Sequence, residues 1–368
     1  MIKDSEIDPK TLDGLWRARV CVIVIGVGTG GIAAVNHMIA SDLQEVAFIA
    51  ADTDAEALAN AQAKHIIQLG PTCCKGLGTE GELDAGRQAA EESLLVIKEA
   101  FGIIDRVGMF FVVAGMGGGT GTGAAAVIAK AAKDAGAYTI GVISKPSACE
   151  GEKRLQQAQA GMQALLDVVD ILIAIPSDKL VECQCPSAPT THGDTLRMAD
   201  EALYRAVKFI CDSVSLYNNL ISLDLADVHN CLSGAGMRGI GIGIASGSNR
   251  AIAAVRRALN DPLLEDVSIG MAKSVLYRVE APSDIVSNEL DEIDTIISDW
   301  VHNECKVYFS LNYDDNADDT LRITIMVSGA VLECPLERTG LGLPWRGNFS
   351  RQFGRKWPCF ACRRTLRR

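Results

Sequence analysis

The residues with the clearest chemical potential are six glycines and two threonines between Gly115 and Gly123. Residues 109–123 read MFFVVAGMGGGTGTG, so an apolar run passes directly into the glycines, and a helical pattern follows. Glycine lets the backbone approach an anion closely, and the amides at a helix start attract phosphate. This succession predicts a phosphate-binding turn between a strand and a helix. The alternative is a merely flexible glycine loop.

A second glycine cluster follows the apolar run VCVIVI at residues 20–25. Gly26, Gly28 and Gly31 have the spacing G-x-G-x-x-G, and Asp52 and Asp54 follow a second apolar run at 46–51. That combination is typical of a dinucleotide-binding fold, in which an acid holds a ribose hydroxyl. A Rossmann oxidoreductase is therefore an open alternative on these residues alone.

The elements that must position both clusters alternate between strand and helix. Further strands are predicted at 66–69, 138–143 and 169–175, and helices at 85–101 and 150–167. This alternation predicts an α/β fold whose parallel sheet is covered on both faces. Residues 195–218 carry an apolar stripe at helical spacing and would span roughly 35 Å. Strands at 273–279, 306–313 and 321–327, with a helix near 284–300, predict a smaller α+β domain.

Composition excludes several classes of protein. The chain has 368 residues and a net charge of −11, but residues 336–368 carry +8 and the remainder −19. An acidic body argues against nucleic-acid binding. No apolar run is long enough to span a membrane, and the acidic N-terminus argues against export. Twelve cysteines at irregular spacings fit reduced thiols, so a cytoplasmic location is expected.

These motifs together resemble the FtsZ/tubulin family. The resemblance rests on GMGGGTGTG at 115–123, VIGVG at 24–28, EGEKR at 150–154, LDLADV at 223–228 and GIASG at 243–247, which fall in the family's order and spacing. The resemblance covers about residues 18–330. It implies a tubulin/FtsZ-like GTP-binding domain with a parallel sheet, a long central helix and a smaller C-terminal α+β domain. It also implies GTP or GDP as ligand, with Mg²⁺, and head-to-tail filaments that hydrolyse GTP in cell division.

The resemblance assigns nucleotide-binding roles residue by residue. Glu150 would contact the ribose, Arg154 would lie against nucleotide or ribose, and Asp200 would read the N–H groups of guanine. The positions expected around the phosphates are Gly28, Thr29, Gly30, Gly31, Ala33, Gly117, Gly118, Gly119, Thr120 and Gly121. No metal ligand is assigned. Without the resemblance, Asp200 would pass for an ordinary acid in a first helical turn, and Glu150 with Arg154 for a surface pair.

Asp224 and Asp227 are the expected catalytic residues, and helix length gives the reason. If Asp200 contacts the base near one end of the long helix, the ISLDLADV loop lies roughly 30 Å away. The two acids then cannot reach the γ-phosphate of their own subunit, but they can reach that of a neighbour stacked head to tail. The prediction is that hydrolysis requires assembly. Taken alone, the two acids are better explained as a solvated turn after a helix.

Several positions depart from the family pattern. Thr29 and Ile32 replace glycines, Ala33 and Ser222 replace asparagines, and Leu196 replaces an aromatic residue expected on guanine. Residues 79–83 read TEGEL and place Glu80 and Glu82 near the expected γ-phosphate. These changes predict weaker binding or slower turnover. The alternative function is accordingly a filament-forming nucleotide-binding paralogue with little or no GTP hydrolysis.

The predicted organisation has five parts: an extension (1–19), a GTP-binding domain (20–194), the central helix (195–221), the C-terminal domain (222–330) and a basic tail (331–368). The resemblance implies an acidic C-terminal peptide that docks membrane tethers, and the basic residues of 331–368 are not expected to serve as one. Instead the tail places Trp345, Phe349, Phe353, Trp357 and Phe360 between arginines. That pattern suggests either weak contact with anionic lipid or a disordered tail without a role. The expected partners are further copies of the chain and, by resemblance, membrane-tethering division proteins at the division site.

Overall fold

The computed structural model describes residues 21–102, 107–182, 191–214, 219–232, 238–264, 267–314 and 318–331. The N-terminal extension, the basic tail and most of the 181–194 loop lie outside these ranges. None of the described helices combines the length and the apolar character that crossing a bilayer requires.

The described strands form one sheet in the order β3-β2-β1-β4-β5-β6-β8-β11-β9-β10-β7. They are β1 (Cys21–Val27), β2 (Val46–Asp52), β3 (His65–Gln68), β4 (Val107–Gly115), β5 (Tyr138–Lys145), β6 (Ile171–Pro176), β7 (Asn219–Ile221), β8 (Arg238–Ser246), β9 (Val267–Ala281), β10 (Lys306–Tyr313) and β11 (Thr320–Val331). β1 to β6 are parallel throughout, whereas β11 pairs antiparallel with both β8 and β9. The expected α/β fold with a mostly parallel sheet is confirmed.

Helices cover both faces of the parallel strands. In chain order they are α1 (Gly28–Ala40), α2 (Ala55–Ala59), α3 (Leu83–Glu92), α4 (Leu94–Gly102), α5 (Gly119–Asp134), α6 (Glu152–Leu166), α7 (Ser177–Glu182), α8 (His192–Val214), α9 (Leu225–Leu232), α10 (Arg250–Leu259) and α11 (Ser287–Trp300). α1 and α8 share one apolar core, and α3 to α6 share the core on the opposite face. Strands buried on both faces explain the continuous apolar runs in the sequence.

Four predictions differ from the structure. The central helix expected over 195–221 is α8, described from His192 to Val214, and residues 219–221 form strand β7 instead. The single helix expected over 85–101 is two helices, which meet at Ser93, whose hydroxyl accepts a hydrogen bond from the Gly70 amide. The glycine-rich stretch 234–247 contains strand β8, which had not been predicted. A Cβ at Gly243 would lie 1.9 Å from the Ala254 carbonyl oxygen, so the glycine lets α10 pack directly on the strand. Glu150 lies in a short 3₁₀ turn before α6 rather than within the helix.

Candidate functional site

Two helix amino-termini lie side by side at the carboxyl ends of β1 and β4. α1 begins at Gly28 and α5 begins at Gly119, and neither start has a side-chain cap or an acidic residue in its first turn. A Cβ built on Gly28, whose φ is +73°, would lie 2.8 Å from the Gly121 amide nitrogen. Uncapped amides and two helix dipoles thus converge on one spot. This arrangement attracts an anion of several negative charges.

The predicted phosphate-binding glycines differ in why a side chain is excluded or tolerated at each position. A Cβ on Gly31 would lie 2.4 Å from the Val113 carbonyl oxygen, and one on Gly121 would lie 2.6 Å from that of Gly115. These two glycines let the two turns pack against the sheet and each other. A Cβ on Gly118 would instead meet nothing within 4 Å. Gly118 therefore borders open space at the amino-terminus of α5, where a ligand can approach the backbone.

The other predicted glycine positions lie in the same turns. A Cβ on Gly30 would lie 3.4 Å from the Gly115 Cα, and one on Gly119 would lie 2.2 Å from the Thr79 hydroxyl oxygen. Gly117 has φ +99°, and a Cβ there would lie 2.6 Å from the Arg154 Cγ. The stem of Arg154 therefore crosses the glycine turn. Ala33 is exposed on α1.

A chain of hydroxyl and carboxyl groups connects the two turns. The Thr29 hydroxyl donates to Asp52 Oδ2 at 3.2 Å, and Asp52 Oδ1 accepts from the Thr53 amide at 2.7 Å. The Thr53 and Thr120 hydroxyl oxygens lie 2.6 Å apart. Burial raises the pKa of Asp52, and the hydrogen bonds from the Asp54 and Thr53 amides and from Thr29 partly offset that rise.

Asp52 and Thr53 are not among the residues that the sequence predicts for the phosphate site. The available signal was their position directly after β2, because β2 neighbours β1 and its carboxyl end meets the same edge of the sheet. The Asp54 side chain accepts a hydrogen bond from the Glu56 amide and caps α2. Asp52 and Asp54, the two acids of the dinucleotide-like pattern, thus accept hydrogen bonds from groups of the protein itself.

Glu150 and Arg154 pair beside the glycine turn. Arg154 Nε lies 3.1 Å from Glu150 Oε2, while Glu150 Oε1 accepts a hydrogen bond from the Ser147 amide. Their expected proximity is therefore present, although the two residues do not share one helix. The carboxylate caps its 3₁₀ turn and orients the guanidinium. Arg154 is half exposed and is free to meet a ligand.

The acidic loop at 79–82 contacts the start of α6. Lys153 Nζ lies 3.3 Å from Glu82 Oε1, and the side-chain Nε2 of Gln157 donates to the Gly81 carbonyl at 3.1 Å. Both charged side chains of the ion pair are exposed. The positive charge of Lys153 thus offsets the negative charge of Glu82, one of the two acids that the sequence predicts near the γ-phosphate. Glu80 is exposed and has φ +51°.

Asp200 and Leu196 lie one turn apart on α8, beside the last turn of α1. No described residue donates a hydrogen bond to Asp200, and burial raises its pKa to about 6, against a smaller lowering by His37. His37 contacts the adjacent Glu201 at 2.8 Å. The Leu196 side chain is 55% exposed. A carboxylate without a donor next to an open apolar side chain suits a flat heterocycle that carries N–H groups.

Asp224 and Asp227 form the first turn of α9 and remain accessible. The Asp227 amide donates to Asp224 Oδ1 at 2.6 Å, and the Asp224 amide donates to Asp227 Oδ2 at 3.3 Å. Asp224 is exposed and Asp227 is half-buried. The carboxylates therefore cap their own helix, as a first-turn acid does. The exposed Ser222 precedes them.

α9 lies at the amino end of β5, whereas the glycine turn lies at the carboxyl end. His229 of α9 packs edge-on against Tyr138, the first residue of β5, with ring centroids 5.1 Å apart. Near the other end of β5, the Ser144 carbonyl accepts a hydrogen bond from the Met116 amide. Six residues of extended chain separate these contacts by roughly 20 Å. The two acids and the glycine turn therefore occupy opposite ends of the parallel strands.

Comparisons with known proteins give consistent matches. The family model for the Tubulin/FtsZ family, GTPase domain, matches residues 21–184, and that for the FtsZ family, C-terminal domain, matches residues 236–331. The cell division protein FtsZ 2 of Rhizobium meliloti is 42% identical over 84% of this chain and 88% of its own length. FtsZ of Magnetospirillum gryphiswaldense is 40% identical over 85% of this chain but 54% of its own, so the chain spans about half of that relative.

A solved structure agrees with the sequence matches. An FtsZ dimer from M. jannaschii superposes with a TM-score of 0.79 at 32% identity, over 88% of this chain and 93% of the other.

Proposed function

The chain belongs to the Tubulin/FtsZ family, and we propose that it is a GTPase of cell division that polymerises head to tail and hydrolyses GTP at the contact between subunits. One observation carries this proposal. The anion-attracting helix starts and the accessible acid pair lie at opposite ends of the same parallel strands. A subunit built in this way has half of a hydrolytic site at each end, which stacking completes.

The proposed nucleotide pose follows from the groups available at each point. The phosphates lie against the amides of the two turns, around Gly118, with Thr120 as a hydroxyl donor. Arg154 supplies positive charge beside Gly117, and Glu150 meets the ribose. Asp200 accepts from N1–H and the N2 amine of guanine, a donor pair that adenine lacks. The distance along α1 from Gly28 to His37, about 13 Å, leaves room for the nucleoside between the two ends.

The proposed hydrolytic step takes place between two subunits. Asp224 and Asp227 of one subunit approach the γ-phosphate bound by the next, where they orient and polarise the attacking water. Ser222 replaces an amide side chain of the family pattern, so the water is held by fewer groups. Relatives named as division proteins do not favour the alternative of a filament without hydrolysis.

Mg²⁺ is proposed to accompany the nucleotide. Among the described residues, no three His, Cys, Asp or Glu side chains converge on a point that could hold a metal ion. This fits an ion bound chiefly by phosphate oxygens and water, as Mg²⁺ usually is. When bound, Mg²⁺ would offset the negative charge of the phosphates.

The proposed place of action is the division site, because the matched relatives are named cell division proteins. Membrane-tethering division proteins are proposed partners. The segment in which a docking peptide would be sought lies outside the described residues.

The test is a protein concentration series with light scattering and phosphate release measured together. We expect scattering to depend on GTP and the rate per molecule to rise with concentration. Asp227→Asn should keep GTP binding and lose most hydrolysis, whereas Asp299→Asn, the same charge change on an exposed helix end, should retain it. A rate per molecule that is independent of concentration would contradict the proposal.

A further inference from the structure

We propose that Thr29 is the protein's own ligand for the Mg²⁺ of the bound nucleotide, and that Asp52 is a positioning residue that orients its hydroxyl. This inference rests on the proposed nucleotide site and names how that site engages the cation. It concerns a threonine that departs from the family's glycine pattern.

The Thr29 hydroxyl is already oriented for this role. Thr29 is the second residue of α1 and is exposed, and its hydroxyl donates to Asp52 Oδ2 at 3.2 Å. A hydroxyl has one proton and two lone pairs. Since the proton is directed to Asp52, the lone pairs remain available on the exposed side, next to the uncapped start of α1.

The second observation is that the carboxyl group of Asp52 is buried and has no described cationic partner. The residue is 1% exposed, and no described lysine or arginine is among the groups that shift its pKa. Oδ1 accepts from the amides of Thr53 and Asp54, at 2.7 and 3.3 Å, while Thr29 is the described donor to Oδ2. Oδ2 therefore keeps a lone pair on the side of Thr29.

The charges of Asp52 and the phosphates favour a cation as the ligand of Thr29. A buried carboxylate beside a site for several phosphates repels them, unless a cation lies between the two. Hydroxyl and carboxylate oxygens are the hard donors that Mg²⁺ prefers, and it commonly binds one or two protein oxygens together with phosphates. In P-loop proteins a threonine or serine hydroxyl at a helix start binds Mg²⁺ in the same chemical sense. The Thr29 hydroxyl thus allows a cation to bind between the Asp52 carboxylate and the phosphates that it would otherwise repel.

The experiment measures how much Mg²⁺ tightens nucleotide binding at equilibrium. The affinity for fluorescently labelled GDP and for GTPγS is determined in EDTA and in Mg²⁺, and the ratio of the two affinities is compared between variants. Couplings of this kind are typically about 5- to 150-fold. Thr29→Val and Asp52→Asn should lower the ratio for GTPγS at least about fivefold, whereas Thr29→Ser should preserve it.

Asp54→Asn is the matched control, because it removes the same charge two residues away and its side chain caps α2 instead of contacting Thr29. Asp54→Asn should leave the ratio of the GTPγS affinities in Mg²⁺ and in EDTA unchanged. Thermal unfolding in EDTA identifies any variant that has lost its fold. Mn²⁺ electron paramagnetic resonance of the Mn²⁺–GDP complex should change with Thr29→Val and remain unchanged with Asp54→Asn.

The outcomes separate this inference from the proposed function. A ratio unchanged in Thr29→Val, or affinities lowered equally with and without Mg²⁺, would overturn the role of Thr29 while leaving GTP binding intact. Absence of guanine-nucleotide binding by the unmodified protein under both conditions would refute the proposed function itself.

Discussion

Replacing Asp200 with asparagine should stabilise the free protein and weaken its binding of guanine nucleotides. Burial raises the pKa of this carboxyl from 3.8 to about 6. An acid whose pKa is raised on folding binds more protons in the native state, so it costs stability above pH 6 and costs little below pH 4. This rise in pKa lowers the free energy of unfolding by at most about 3 kcal/mol at pH 7.5, and by about half of that at pH 5.

The assay is urea unfolding of the nucleotide-free protein at pH 7.5 and pH 5, paired with GDP affinity. Asp200→Asn should raise the free energy of unfolding at pH 7.5, and the increase should be smaller at pH 5. GDP should bind about 10- to 150-fold more weakly, as expected when hydrogen bonds to a charged group are lost. Xanthosine diphosphate, which carries a carbonyl where guanine has its amine, should bind the Asp200→Asn variant more tightly than it binds the parent protein.

Glu201 provides the matched control for Asp200. Burial raises the pKa of Glu201, but its hydrogen bonds with His37 and Arg205 together outweigh that effect, so the pKa is lowered overall. Glu201→Gln should therefore lose stability at pH 7.5 and keep guanine selectivity. The reasoning fails if Asp200→Asn is less stable than the parent at pH 7.5 or binds GDP with unchanged affinity.

Three further outcomes follow from the same site. Gly118→Glu should fold normally, since a Cβ there meets nothing within 4 Å, but should abolish nucleotide binding; thermal unfolding and GDP titration check both parts. Gly121→Ala should instead lower the melting temperature, because its Cβ would lie 2.6 Å from a carbonyl oxygen, and a normal melting temperature would refute that packing. Leu196→Tyr should tighten GDP binding by about two- to tenfold through stacking on the base, which a titration with GDP and guanosine can measure; equal affinities for parent and variant would place the base elsewhere.

Much of the parallel half of the fold could be predicted from the sequence, because its strands are continuous apolar runs and its turns are glycine-rich. The fold class, the alternation of strand and helix and the long helix are confirmed. Strand β8 was missed because every second residue from 239 to 243 is glycine, which is disfavoured in strands, and at Gly243 the missing Cβ serves helix packing. The break at Ser93 coincides with a hydrogen bond from Gly70, a partner 23 residues away, which local periodicity does not show.

The candidate site was predictable where backbone conformation dictates the residue type, and less so where side chains interact at long range. Both glycine turns follow from the sequence pattern. The bond between Thr29 and Asp52 joins residues 23 positions apart, so only the pairing of β1 with β2 brings them together. The capping role of Glu150 was likewise hidden, since its helix begins two residues later than expected. The roles of individual residues in binding and hydrolysis remain predictions.

The central claim is that each subunit contributes half of a hydrolytic site to its neighbour, and a complementation assay tests it most directly. Asp227→Asn keeps the phosphate turn, whereas Gly118→Glu keeps the acid pair. Neither variant alone should release phosphate from GTP at an appreciable rate. An equal mixture should recover about a quarter of the parent rate, because about one contact in four in a head-to-tail filament joins the two intact halves. No recovery on mixing, with both variants folded and Asp227→Asn still binding GTP, would contradict the account.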